Sequence, residues 1–258
     1  MRLIGLLMLC LCLGACTKPA PNTLVIGTVS GPETELVLAT QEIAQKKYGL
    51  TIKIVEFNDY NLPNEALNEG SLDANVYQHL PYLQAAKKAH GYQLTPIGKT
   101  FLYPVGLYSK RFHKLKSLPK HAVIALPNDP SNEARALRLL QQAGFITLSA
   151  TDTPGLHDIK KNPRHLQFKS LDAAQLPRVL PDVDAAIINT TFAIPAGLKP
   201  SRDALLLENK HSPYANIIVI QDNSLKKEQL DLFVLAFHSQ AVKDKAKQLF
   251  GDAAIPAW

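Results

Sequence analysis

The stretch Asn58–Tyr82, NDYNLPNEALNEGSLDANVYQHLPY, decides how this chain is read. It runs turn, short helix, turn, buried strand and the start of a second helix. Pro63 suits the first turn of a helix, where its missing N–H would be unpaired anyway, and Gly70 ends that helix. Leu72–Tyr77 reads as a short strand, and His79-Leu80-Pro81-Tyr82 opens the next helix. Such a strand delivers Tyr77, His79 and Tyr82 to its carboxyl end, where open α/β sheets bind ligands. A packed core with one satisfied histidine would use the same residue types, so the flanking chain has to separate the two.

Upstream, Leu24–Val29 is a strand ended by Ser30-Gly31-Pro32, and a helix follows from Glu33 to Lys47 with Leu36, Ile43 and Ala44 facing the core. Gly49 stops it, and Thr51–Phe57 is the next strand. Downstream, a helix to His90 precedes strands at Gln93–Ile97 and Phe101–Tyr108. This is a βαβαβ unit with a largely parallel sheet. A second unit begins after Lys110. Ala122–Leu126 is a buried strand, and Asp129-Pro130 reads as an N-cap followed by proline at the first helical position. That helix runs through Ala134, Leu137 and Leu140 to Gly144. His165–Phe168 is a strand, Ala173–Leu180 a helix interrupted at Pro177, and Asp184–Ile188 a strand ending on Asn189. Ala204–Leu207 and Tyr214–Ile220 are strands that return the chain to the first unit. Two helices close the sequence: Ser224 is placed to cap the first, Leu230, Phe233, Val234, Phe237 and Ala241 share one face, and Gly251 ends the second. Trp258 either pins the tail or hangs free. Two similar units joined by crossovers imply a cleft at their junction.

The N-terminus belongs to neither unit. Arg2 precedes the apolar run Leu3–Leu13, which is shorter than the roughly 20 residues a membrane-spanning helix needs. Leu13-Gly14-Ala15-Cys16 then reads as a cleavage site at which Cys16 is acylated and becomes the mature N-terminus. Residues 1–15 are thus expected to be a lipoprotein signal peptide, and 16–22 a lipidated, proline-bearing tether. The three cysteines are Cys10, Cys12 and Cys16, so the body holds no thiol for a disulfide, a zinc site or a redox pair.

Composition narrows the function further. With 46% hydrophobic residues in 258, a packed core is well supplied. The net charge of +6 is spread rather than clustered with aromatics, which argues against a nucleic-acid surface and suits a tether near anionic lipid. Gly27-x-x-x-Gly31 follows a strand but lacks the Lys-Ser/Thr of a P-loop, and neither His-Glu-x-x-His nor Gly-x-Ser-x-Gly occurs. The eight histidines show no pair at helical ligand spacing. Asp182 and Asp184 flank a strand start as turn and solvent residues. No metal, cofactor or catalytic constellation is expected.

What remains is a binding set. Arg135 lies in the first turns of a helix, Asn189 at the end of a buried strand, and Asn216 inside an apolar one, where an amide needs partners. A guanidinium can hold a carboxylate bidentately, and amide oxygens can accept from an ammonium group, which together suit an amino-acid backbone. Tyr77, His79, Tyr82 and Tyr103 would enclose its side chain.

Seven words in order, NDYNLPNEAL (58–67), LDANVYQHLPYL (72–83), GKTFLYP (98–104), ALPNDPSN (125–132), QLPR (175–178), INTTFA (188–193) and SPYANIIV (212–219), resemble the methionine-binding lipoproteins of bacterial ABC importers, the NlpA lipoprotein family. The resemblance covers essentially the whole chain. It implies an α/β, two-lobed periplasmic binding protein of the second type, with ligand clamped between lobes spanning 23–105, 106–207 and a return segment 208–258. By position it assigns Arg135 to the ligand carboxylate, Asn189 and Asn216 to the amide contacts, and Tyr77, His79, Tyr82 and Tyr103 to the aromatic wall. It implies methionine as ligand, an importer permease and ATPase as partners, and a lipid anchor in the cell envelope facing the periplasm or exterior. The family usually has Phe where Tyr77 stands and often Gly where Ala134 stands, and a phenol in the pocket needs a hydrogen-bond partner. Alternatives on the same fold are a protein for another amino acid or short peptide, a structural or adhesive surface lipoprotein, and a periplasmic enzyme.

Overall fold

The computed structural model describes residues 22–258, so the leader, the tether and Cys16 lie outside the described residues. The chain opens with β1 (Thr23–Val29), α1 (Pro32–Tyr48), β2 (Thr51–Phe57), α2 (Leu62–Asn68), β3 (Ala74–His79), α3 (Leu80–His90) and β4 (Leu94–Leu102). It crosses over to β5 (Gly106–Tyr108), β6 (Val123–Pro127), α4 (Pro130–Gln142), β7 (Thr147–Leu148), β8 (Ile159–Lys161), β9 (Gln167–Leu171), α5 (Leu176–Val179), β10 (Ala185–Ile188), α6 (Thr190–Ala193), α7 (Pro200–Asp203) and β11 (Leu206–Leu207). It returns as β12 (Ala215–Gln221), α8 (Lys227–Phe237), α9 (Gln240–Phe250) and β13 (Ile255–Pro256).

Two sheets result. One has the order β13-β4-β12-β3-β1-β2 and the other β11-β5-β10-β6-β9, with β7-β8 a separate small hairpin. The first sheet is mixed rather than largely parallel. The pairs β1–β2 and β1–β3 are parallel, but the returning β12 inserts antiparallel between β3 and β4. This insertion matters for the site, because its register sets Asn216 opposite His79 and Ala215 opposite Leu102.

Side-chain alternation builds the layers. Leu24, Ile26, Ala74 and Val76 pack beneath α1, α8 and α9 in a core with Leu36, Phe233 and Phe237. Ile217 and Val219 face the other way, against Leu67 of α2 and Leu83 of α3. In the second sheet Leu107, Ile124, Leu126 and Ile187 pack on α4, while Tyr108, Ala125, Ala186 and Ile188 meet α5 and α6. Fully burying a Leu, Ile or Phe side chain is worth about 1.5–3 kcal/mol, so four such interfaces hold the two lobes independently.

Helix boundaries follow their caps. Asp129 accepts from the Asn132 backbone N–H at 2.9 Å, and Gly49 closes α1 in the left-handed region with φ of 60°. Several sequence expectations shift. The strand expected at Leu72–Tyr77 runs from Ala74 to His79, because Asp73 is taken up by Val25: its backbone N–H donates to the Val25 carbonyl and its carboxylate accepts from the Val25 N–H. The strand expected at His165–Phe168 begins at Gln167, since His165 has φ of 53° and turns the chain. Phe101–Tyr108 is not one strand: Tyr103–Val105 leaves the first sheet and β5 joins the second. Lys226, not Ser224, occupies the N-cap of α8, and the Ser224 hydroxyl accepts from the Lys226 N–H at 3.4 Å. Trp258 pins the tail, stacked on His238 at 4.5 Å and edge-on to Phe101 at 4.9 Å. Among the described residues no helix is long and apolar enough to cross a membrane.

Candidate ligand-binding site

The carboxyl end of β3, the start of β12, the Tyr103–Val105 crossover and the N-termini of α4 and α6 converge on one space between the lobes. A small cavity opens there, and Tyr77, His79, Tyr82, Tyr103, Arg135, Asn189 and Asn216 all line it. The seven residues expected from the sequence therefore meet at a single cavity.

His79 ends β3 and caps α3. Its Nδ1 accepts from the Tyr82 backbone N–H at 3.2 Å, which assigns the proton to Nε2. Nε2 lies 3.3 Å from Asn132 Oδ1 on the opposite lobe and donates to it. Burial, and then the nearby Arg135 charge, lowers the His79 pKa to about 3, so the ring is neutral. Asn132 is held in turn by Asp129, whose carboxylate accepts from both its backbone and side-chain nitrogens. With its oxygen fixed toward the cavity, Asn132 also accepts from Asn189 Nδ2 at 2.9 Å. That leaves Asn189 Oδ1 buried with no hydrogen-bond partner among the described residues. A buried acceptor of this kind costs about 1–3 kcal/mol until a donor arrives.

Asn216 is fixed by the same logic from the other side. Nδ2 donates to Glu33 Oε1 at 2.8 Å and to the Tyr77 carbonyl at 3.1 Å, which commits the amide hydrogens and leaves Oδ1 facing away from both. Glu33, at the start of α1, is buried, and burial raises its pKa to about 8. Sequence reasoning passed over it; a Glu directly after Gly-Pro reads as an ordinary first-turn acid.

Arg135 is also committed. Its Nε donates to Glu208 Oε1 and its Nη2 to the Tyr103 carbonyl, each at 2.9 Å, and Nη2 pairs with Glu208 Oε2 as well. The guanidinium stacks 4.5 Å from the Tyr214 ring centre. Only Nη1 makes no hydrogen bond among the described residues. Glu208 lies at the return crossover, where it also accepts from the Val105 N–H and donates its own N–H to the Val105 carbonyl, so the pair ties both crossovers together.

The aromatic wall is wider than expected. Tyr60, from the NDYNLP turn, stands 5.8 Å from Tyr77 and 6.0 Å from Tyr82, and it meets Phe192 of the other lobe at 4.9 Å. The Tyr82 hydroxyl donates to the Tyr60 carbonyl at 2.7 Å. The Tyr77 hydroxyl is buried, with the Tyr82 hydroxyl as its polar neighbour. Tyr103 contributes differently, with its carbonyl on Arg135 and its ring stacked into the first core against Phe250 at 4.7 Å. Gln78, Asn132, Thr190 and Thr191 complete the lining. Of these, Asn132 could have been found as the third helical residue after its Asp129 cap. Among the described residues, no three His, Cys, Asp or Glu side chains gather to hold a metal.

Two α/β lobes closed over a small cavity that pairs amides and a guanidinium with an aromatic wall define a two-lobed solute-binding protein. Residues 24–258 match the profile of the NlpA lipoprotein. The chain is 42% identical over 260 residues to the D-methionine-binding lipoprotein MetQ of Yersinia pestis, covering 99% of this chain and 95% of that one. A solved periplasmic substrate-binding protein of an ABC transporter from Coxiella burnetii is 52% identical, with a TM-score of 0.88 over 91% of this chain and 100% of its own. A nutrient-binding protein from Burkholderia cenocepacia, solved bound to methionine, is 46% identical with a TM-score of 0.89 over the same shares. The chain belongs to the NlpA lipoprotein family.

Proposed function

We propose that this protein captures methionine in the cell envelope and delivers it to an ABC importer. The observation that carries the reading is Asn189 Oδ1, a buried acceptor with no partner among the described residues, in a cavity that Arg135 also lines. The ligand ammonium would donate to Asn189 Oδ1 and Asn216 Oδ1, and the carboxylate would accept from Arg135 on its Nη1 side. With His79 neutral and Arg135 balanced by Glu208, the cavity suits a zwitterion of no net charge. A thioether among Tyr60, Tyr77 and Tyr82 gains sulfur–aromatic contacts of about 0.3–1.5 kcal/mol. The protein works as a carrier and not as an enzyme.

The lobes would divide at 105/106 and 207/208, with the Glu208–Val105 pairing at the hinge. Cys16 would carry the lipid that keeps the protein at the membrane, beside the permease and ATPase it serves. Cys16→Ser would then abolish fatty-acid labelling, and equal label in both forms would remove that assignment. The buried Tyr77 hydroxyl in the cavity lining supports a second reading, an amino acid with a polar side chain. Native mass spectrometry of residues 22–258 purified without added ligand tests the choice. A bound mass equal to methionine is expected, together with a melting temperature raised by millimolar methionine. A different co-purifying amino acid, with no methionine effect on melting, would select the second reading.

A further inference from the structure

Glu33 has a place in the molecule that the ligand scheme above does not use. It is 2% exposed, at the start of α1, behind the cavity wall. Its Oε1 accepts from Asn216 Nδ2 at 2.8 Å, and its Oε2 is 3.5 Å from the hydroxyl of Thr191. Asn216 belongs to the first lobe and Thr191 to the second, and both line the cavity. The carboxyl thus sits across the floor of the cleft, one amide away from the point where a ligand ammonium would dock.

Every group facing it is neutral or already paired. Tyr60 and Tyr103 are its titratable neighbours; burial and the Glu33 charge push both phenols up, so they stay protonated. Glu56 of β2 is bonded by the Thr34 hydroxyl at 3.2 Å, and Glu35 is paired with Lys245 of α9 at 3.0 Å. Across the cavity, Arg135 is committed to Glu208, Asp129 to Asn132, and His79 is neutral. Among the described residues no ammonium or guanidinium group is paired with Glu33, and burial holds its carboxyl protonated up to about pH 8. The N-terminus of α1 favours the anion but does not outweigh desolvation.

We propose that Glu33 is the positioning residue and latent counter-charge for the ligand ammonium: it fixes Asn216 with its oxygen toward the cavity and releases one proton to solvent when an amino acid binds. The step is a single ionisation, in which the Glu33 O–H bond breaks, the proton leaves to buffer, and the carboxylate offsets the incoming positive charge through Asn216. The inference rests on the amino-acid reading of the cavity. Linkage gives its sign. Binding that favours the ionised form weakens as pH falls below 8, by up to about tenfold per pH unit, and levels off near pH 8.

The test is titration calorimetry of wild-type protein with methionine, run from pH 6 to 8 in two buffers of different ionisation enthalpy. About one proton released per methionine near pH 7 is expected. Glu33→Gln keeps an acceptor for Asn216 but cannot ionise, so it should bind with no proton release and a flat pH profile. Methionine binding by the wild type with no buffer-dependent heat overturns the inference while leaving the ligand reading intact, and so does proton release that persists in Glu33→Gln. A wild type that shows no methionine heat at any pH overturns the ligand reading and this inference with it. The wild-type measurement decides by itself if the variant fails to fold.

Discussion

Arg135 turns one edge of its guanidinium onto Glu208, with Nε 2.9 Å from Oε1, and so meets a carboxylate inside the protein before any ligand arrives. Both side chains are buried, at 4% and 7% exposed. Removing one partner strands the other charge, which typically costs about 3–5 kcal/mol. Arg135→Ala should therefore lower stability by about that amount in urea denaturation and weaken methionine binding about 100-fold or more. The double variant Arg135→Ala with Glu208→Ala should recover much of the stability but none of the affinity. Arg138→Ala is the control: Arg138 donates to the Thr151 and Asp152 carbonyls at the surface, and a change within about 0.5 kcal/mol is expected. Binding restored in the double variant would show that Arg135 serves the hinge and not the ligand.

Asn189 and Asn216 should separate in their effects. Asn189→Ala deletes an acceptor that has no partner among the described residues and also the Nδ2 donor to Asn132 Oδ1, so stability should fall by about 0.5–1.5 kcal/mol, less than for Asn216→Ala, while affinity falls roughly tenfold to a hundredfold. Asn216→Ala also strips Glu33 and the Tyr77 carbonyl of a donor, so melting temperature and affinity should fall together. Thermal scans with and without methionine distinguish the two. Unchanged affinity in Asn189→Ala would remove it from the ammonium site.

Tyr77→Phe removes a buried hydroxyl whose polar neighbour is the Tyr82 hydroxyl. Stability should hold or rise by about 1 kcal/mol, and methionine affinity should stay within twofold. A tenfold loss, measured by calorimetry, would mean that the hydroxyl meets a polar ligand atom.

The acid limb of stability should belong in part to His79. Its folded pKa is lowered to about 3, so between the ordinary histidine value and about pH 3 the unfolded chain binds a proton that the folded chain refuses. Stability is lost as pH falls through that window. His79→Gln should flatten the fall of melting temperature between pH 6 and 4 relative to wild type. An unchanged acid limb would assign the loss to other groups.

Much of this was legible from local chemistry. The short apolar runs of β1, β6 and β10, the Asp129-Pro130 start of α4 and the Gly49 stop of α1 depend on neighbours a few residues away, and those signals survive in isolation. The cavity lining was legible too, because the strand ends that carry Tyr77, His79, Asn189 and Asn216 must converge once two α/β units share crossovers. Tertiary structure alone decided how those groups are oriented. Glu33 reaches Asn216 across 183 positions and Arg135 reaches Glu208 across 73, and no periodicity encodes either pairing. The antiparallel insertion of β12 was likewise invisible, since a strand's own sequence does not state its neighbours. Which carboxyl stays protonated, which amide oxygen is left free and which guanidinium edge is taken depend on desolvation and on hydrogen-bond partners that only the folded chain brings within reach.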